Sequence, residues 1–411
     1  MDNPFTRPLL LDGATGTNLM AAGMPQGACT EQWIVEHPQP LRQLQQAYAA
    51  AGCGMVTAPT FGANRLRLGD YGLADRVEEM NLRLVALSRE AVGPDVRVAG
   101  DMAPTGGFVE PFGDMTFDEL VDVYREQARA LKKAGADYIA AETMTGLTEA
   151  RAALLAAKET GLPVTVSLTV DEKGRLLSGG DPTACLLVLR SMGADAVGLN
   201  CSTGPQIIFD CLRAAAPFVA GPLLAKPNAG LPDPARPGMY DIGPEAFAAF
   251  ARPFLETGVE LLGGCCGTTP AHMAALHREI ARLPFARRPA PQTDARRFLT
   301  ADERHVWKID PETIGFSHKL DCGPDLGDDL IRLSEEEFVA VRVRIRSEED
   351  ARQFGLNAYL CALPVVLLGQ DAAALETALR LYNGRAMVDS KSELPLPALR
   401  ALADRYGAEI I

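Results

Sequence analysis

The chain has 411 residues, 47% hydrophobic and 23% charged, an ordinary composition for a soluble globular protein with ample core and a length that suggests two domains. A formal net charge of -13 argues against nucleic acid or an anionic membrane surface as a partner. Nine scattered cysteines do not form a secreted disulfide framework, and the start MDNPFTRPLLLDG has no basic leader and no sustained apolar region, so a reducing cytoplasm is the expected compartment.

Short apolar runs that end in turn residues predict strands at LLLDG (9–13), MVTAPT (55–60), VRVAGD (96–101), YIAAET (138–143), VTVSLTV (164–170), AVGLNC (196–201), LLAKPN (223–228) and ELLGGC (260–265). Between them lie amphipathic stretches such as 116–135 and 148–161, each closing on a Gly suited to a helix C-cap. Eight alternations predict an α/β chain whose residues 1–283 form a (β/α)8 TIM barrel. Residues 284–300, rich in Pro and Arg, read as a linker. Residues 301–411 read as a smaller α/β domain. Its strands are predicted at 338–345, at 358–369 as one strand or two divided at Pro364, at 385–390 and at 408–411, with helices in EEDARQFG, DAAALETALRLYNG and LPALRALADRYG.

Chemistry enters at strand ends. Cys201 closes the sixth run and the adjacent Cys265 and Cys266 close the eighth, the edge where a barrel keeps its active site. Barrel closure leaves only the seventh strand between them. Three thiolates with a fourth position open are the ligand set of a zinc ion that handles a substrate. Such a site carries a net charge of about -1, which makes it a poor Lewis acid but leaves a bound thiol electron-rich, so the chemistry expected is alkyl transfer to sulfur. Cys201 alone also fits a small buried hydrophobe. A disulfide between neighbours is strained, and the spacing of redox pairs, with two residues between cysteines, does not occur. His272 and His277 read as surface groups on the last barrel helix, Cys53 and Cys211 as core residues.

The runs LLLDGATGT, TAPTFGANRLRL, VAGDMAPTG, AAETMT, VGLNCSTGP, KPNAGLP and LLGGCCGTTPAHM, in this order, resemble the homocysteine S-methyltransferase family over residues 1 to about 290. That resemblance implies that Cys201, Cys265 and Cys266 ligate zinc and that Asn228 supplies an amide oxygen to the fourth position until a substrate thiol displaces it. It implies further that Glu142 binds the amino group of homocysteine and that Asp12 and Gly13 lie at the substrate mouth. Thr15, Asn64 and Ser167 are weaker candidates for the same pocket, each also able to satisfy backbone groups at a strand end.

The segment PVVLLGQDAAALETALRLYNGRAMVDSKSE, followed by LPALRALADRYGAEII, is similar to part of the methyltetrahydrofolate-binding barrel of cobalamin-dependent methionine synthase. Its upstream half departs from that pattern, and no Asp-x-His-x-x-Gly cobalamin-ligand pattern occurs, so a corrinoid would arrive on another polypeptide or region. The expected function is zinc-dependent methylation of homocysteine to methionine, with methylcobalamin as an external donor and a corrinoid or methyltetrahydrofolate-binding protein as partner. Open alternatives are S-methylmethionine, betaine or another donor, a different thiol acceptor, and a non-catalytic zinc-bound docking module.

Overall fold

A computed structural model of the protein describes residues 8–233, 239–285, 297–336 and 340–411. The chain divides into two compact units, the first of residues 1–179, 194–217 and 221–290, the second of 180–193, 218–220 and 291–411.

In the first unit the strands are β1 (Leu9–Leu10), β2 (Met55–Thr57), β3 (Arg97–Met102), β4 (Tyr138–Met144), β5 (Val164–Leu168), β6 (Ala196–Asn200), β7 (Leu223–Lys226) and β8 (Val259–Leu262). Every ladder is parallel, in the order β1-β8-β7-β6-β5-β4-β3-β2. A parallel bridge between Leu11 and Met55, with Gly54 N donating to Leu10 O at 2.9 Å, joins the two ends of the sheet. The predicted (β/α)8 barrel is therefore the observed fold. Its lower interior holds Leu11, Met55, Ala99, Tyr138, Ala140, Ala196, Leu224 and Leu261. Ala99, Ala140 and Ala196 alternate with the larger side chains, and toward the strand C-termini the interior turns polar, with Thr57, Glu142, Thr165, Ser167 and Lys226 lining a narrow cavity.

The helices between these strands start and stop where local chemistry directs. Phe117–Lys133 opens on a Thr116–Glu119 capping box, carries Asp118 and Glu119 in its first turn and Lys132 and Lys133 in its last, and is followed by Gly135 at φ 80°. Gly198 has a tighter reason: a Cβ there would lie 1.9 Å from Leu224 O, so only glycine lets β6 and β7 approach this closely. Among the described residues no helix is long and apolar enough to cross a membrane.

The second unit holds an antiparallel hairpin, β9 (Phe298–Ala301) and β10 (Val306–Ile309). It also holds a parallel sheet of β11 (Phe316–Asp321), β12 (Ala340–Ile345), β13 (Val365–Gly369), β14 (Met387–Val388) and β15 (Glu409–Ile410). These five strands pair in sequence order. Helices Leu326–Ser334, Glu348–Asn357, Ala372–Leu381 and Leu396–Tyr406 connect them. The helix Pro182–Ser191, between β5 and β6, falls in this unit, where Asp181 N donates to Glu303 O at 2.8 Å.

Two expectations are corrected here. The stretch 358–369 is not extended throughout: Ala358–Leu360 forms a 3-10 turn that prolongs the preceding helix, and the strand begins after Pro364, which has no N–H for a ladder. Phe298–Thr300, read as linker, already belong to β9; residues 286–296 of that segment lie outside the described residues. The expected strand at 338–345 is present over Ala340–Ile345, and residues 338 and 339 lie outside the described residues. The hairpin, β11 and the helix Leu326–Ser334 had no sequence assignment, because Phe316–Asp321 interleaves His, Lys and Asp with few apolar residues.

Candidate metal centre and amino-acid pocket

The end of β7 is a clamp between the two cysteine loops. Cys201 N donates to Lys226 O at 3.0 Å and Cys265 N donates to Pro227 O at 2.8 Å, while Asn228 N reaches Thr203 O at 3.1 Å and Ala229 N reaches Cys266 O at 3.0 Å. Backbone bonds alone therefore draw together sulfurs that are far apart in sequence. Cys201 and Ser202 both take a left-handed backbone, at φ 63° and 54°, which turns the Cys201 side chain out of the strand direction. All three sulfurs lie within 4.8 Å of one another, and Cys201 Sγ is 3.7 Å from Cys266 Sγ. A tetrahedral ion with metal–sulfur bonds of about 2.3 Å would space its sulfurs by roughly 3.8 Å. Among the described residues this is the one group of His, Cys, Asp or Glu side chains with that spacing.

The electrostatics of the trio point the same way. Cys201 is pushed up to about 12: a hydrogen bond from Cys265 lowers it, but one involving Cys266, with burial, outweighs that. Cys266 is likewise pushed up to about 12, and Cys265 is held well above the ordinary thiol range, chiefly by its hydrogen bond with Cys201. Three crowded, half-buried thiols keep their protons unless a cation replaces them. Asn228 is 5% exposed and its Oδ1 has no hydrogen-bond partner among the described residues, so it offers a neutral oxygen donor beside the sulfurs. The donor set fits zinc.

Below the sulfurs lies a buried charge cluster. Lys226 Nζ is 2.8 Å from Glu142 Oε2 and 3.7 Å from Asp12 Oδ1. Burial alone would lower the Lys226 ammonium, but Glu142 and Asp12 hold it well above its ordinary value. Burial raises Asp12, with Lys226 and the Thr57 hydrogen bonds opposing. Thr57 N and Oγ1 donate to Asp12 at 2.7 and 3.1 Å. Asn200 connects this pocket to the sulfurs: its Oδ1 accepts from Ser167 Oγ and Thr143 N, both at 2.8 Å, while its Nδ2 reaches Thr143 Oγ1 at 2.7 Å and Cys265 Sγ at 3.9 Å.

The structure thus brings Cys201, Cys265, Cys266, Glu142, Asp12, Ser167 and Lys226 to one end of the barrel interior. Gly13 is hemmed in by Thr268 and Tyr48, whose atoms would stand 2.6 and 2.8 Å from a Cβ, so packing already requires glycine there. Asn64 caps the helix Arg65–Gly69, accepting from Leu66 N and Arg67 N. Thr15 is half-buried at the start of the helix Gly16–Ala21, without a side-chain capping bond. His272 is buried rather than on the surface: its Nδ1 pairs with Thr269 and its Nε2 lies 3.0 Å from Ile242 O, while His277 is exposed as expected. Cys53 is buried, and Cys211 only half-buried.

Residues 9–280 match the family described as homocysteine S-methyltransferase. The chain belongs to the homocysteine S-methyltransferase family. It is 33% identical over 297 residues to methionine synthase of Mycobacterium tuberculosis, covering 67% of this chain and 25% of that one. The same identity holds over 296 residues to methionine synthase of Mycobacterium leprae, with 67% and 24% coverage. This family member therefore spans about a quarter of the length of those relatives. Its fold is shared with the metallated homocysteine methyltransferase MmuM of Escherichia coli, at a TM-score of 0.57 and 24% identity over 68% of this chain and 97% of that one.

Sequence reasoning passed over four site residues of this homocysteine S-methyltransferase family member: Lys226, Asn200, Thr57 and Tyr240. A Lys that ends the apolar run LLAK is as unusual as the Glu that ends the fourth strand, and that was the available signal. Tyr240 is pushed up to about 12 by burial and by the nearby Cys266. It follows a turn-rich stretch with no periodic pattern, so nothing in the sequence marks it.

Proposed function

We propose that this chain is a zinc-dependent homocysteine S-methyltransferase that places a methyl group on the sulfur of homocysteine and yields methionine. The observation that carries the reading is three sulfurs within 4.8 Å at the ends of β6 and β8, facing a pocket walled by Glu142, Asp12 and Lys226. Zinc held by Cys201, Cys265 and Cys266, with Asn228 as a displaceable fourth donor, would supply the charge that favours a deprotonated substrate thiol near neutral pH. The chain's own residues do the rest. Glu142 presents a carboxylate for the substrate ammonium, Asp12, held by Thr57, helps orient the substrate at the mouth of the pocket, and Asn200 and Ser167 set the wall between the amino end and the sulfur end. Orientation of this kind lets the sulfur meet the methyl carbon in line. A new S–C bond forms, the donor leaves with the electrons of its old bond to carbon, and the thiol proton passes to solvent.

The donor we infer is methylcobalamin presented by another polypeptide or region, on the strength of the two relatives named methionine synthase. A corrinoid or methyltetrahydrofolate-binding protein is the matching partner. Nine free cysteines accord with a cytoplasmic setting. The test is calorimetry of zinc-loaded protein with homocysteine in buffers of different ionisation enthalpy, followed by methionine formation with methylcobalamin, S-methylmethionine, betaine and methyltetrahydrofolate in turn. Proton release on binding and turnover with methylcobalamin are expected. Turnover with another donor alone reassigns the donor. Another thiol as the better acceptor reassigns the substrate. Zinc binding without homocysteine binding leaves a docking module and overturns the enzyme reading.

A further inference from the structure

Asp101 is a buried acid that the proposed chemistry does not yet use. It is the penultimate residue of β3, where Ala99 and Asp101 alternate toward the interior, and it is in register with Ala140, which lines the cavity one inward position below Glu142 on β4. The residue is 4% exposed, and its Oδ1 has no hydrogen-bond partner among the described residues. Its backbone is fully engaged, with N donating to Thr60 Oγ1 at 2.8 Å and O accepting from Gln127 Nε2 at 3.1 Å, so the residue is held in place while its carboxyl oxygen is left over. Buried carboxyls without partners are costly, and they persist where a ligand completes them.

The charges around it tell which ligand. Burial, and then Glu142, push the Asp101 carboxyl well above the usual range, with Lys226 opposing and Asp12 and Glu31 adding to the rise. Glu142 already spends one oxygen on Lys226, and Asp12 spends both on Thr57. A primary ammonium brings three N–H donors. Glu142 alone cannot serve all three.

We infer that Asp101 is a second acidic arm of the amino-acid subsite, accepting an N–H of the substrate α-ammonium beside Glu142 and so selecting thiols that carry an amino group. This rests on the homocysteine reading above. It predicts a discrimination that zinc and the sulfur end cannot provide, because those ends treat any alkyl thiol alike.

The experiment compares L-homocysteine with 4-sulfanylbutanoate, which has the same thiol and carboxylate but no amine, by calorimetry on zinc-loaded full-length protein. Asp101→Ala should weaken homocysteine by about 10- to 100-fold, the range for a hydrogen bond to a charged group, and leave 4-sulfanylbutanoate unchanged. Asp101→Asn, which keeps the shape and one oxygen acceptor, should show a smaller loss in the same direction. Zinc content and the far-UV circular dichroism spectrum of Asp101→Asn should match wild type. Equal weakening of both ligands, or unchanged homocysteine affinity in both variants, overturns the assignment of Asp101 alone. A wild-type protein that binds neither ligand overturns the homocysteine reading and this inference with it.

Discussion

Both units string parallel strands in sequence order with helices between them, yet they treat charge in opposite ways. In the first unit the sheet closes, and the inward side chains at the strand ends share a dry interior: the Lys226–Glu142 pair keeps side-chain exposures of only 6% and 12%. In the second, β11 and β15 are not paired to each other among the described residues, and β12 sets Arg342 and Arg344 on one face of an open sheet. There the Arg344–Asp321 pair is 36% and 51% exposed. Closure, more than composition, turns the same kind of ion pair from a solvated contact into a specific, costly one. It also explains why sulfurs converge in one unit and not in the other.

The sharpest way to break this comparison is at the sulfurs. Cys265→Ser or Cys266→Ser should reduce zinc from about one ion per chain to below about a tenth and abolish measurable methyl transfer, since a three-sulfur site has no spare ligand. Cys211→Ser, a half-buried thiol outside the cluster, should keep both. Metal analysis decides, and equal loss in all three variants would sink the assignment.

Next in size is the ion pair itself. Lys226→Met strands Asp12 and Glu142 and should cost about 3–5 kcal/mol in urea unfolding at pH 7, the range for removing one partner of a buried pair. Arg344→Ala in the open sheet should stay within about 0.5 kcal/mol. Similar losses for the two would mean that the barrel end is as wet as the open sheet.

The smallest effect is a slope. The Asp101 carboxyl is raised in the folded chain, so the folded state binds more protons than the unfolded one between the ordinary carboxylate value of about 3.9 and the elevated one. Wild-type stability should therefore fall as pH climbs through that window and be insensitive to this group below it. Asp101→Asn removes the dependence, so the variant should gain on wild type as pH rises. Parallel unfolding profiles from pH 4 to 8 would show that Asp101 is not held neutral.

Much of this is legible in the amino-acid sequence. Eight short apolar runs separated by Gly-capped amphipathic stretches specify a barrel because strand-length and helix-length segments alternate without interruption. Cys201, Cys265 and Cys266 stood out because a thiol at a strand end has few structural duties. Lys226 was hidden by its neighbour, since KPNAG invites attention to the Asn, and its pairing with Asp12 and Glu142 arises only when strands β1, β4 and β7 meet across the interior. Asp101 looked like a strand terminator for the same reason. The second unit was read less well at its start because β11 sets His318, Lys319 and Asp321 among only two apolar residues, without the sustained apolar run that marks the barrel strands.

One amide bolts the two ends of the pocket together. Asn200 grips Ser167 and Thr143 with its oxygen and faces Cys265 with its nitrogen, so it cannot rotate without releasing neighbours on both sides. Disturbances at the amino end and at the sulfur end will therefore not sum independently, and a thermodynamic cycle across them should register communication between ligand recognition and metal affinity.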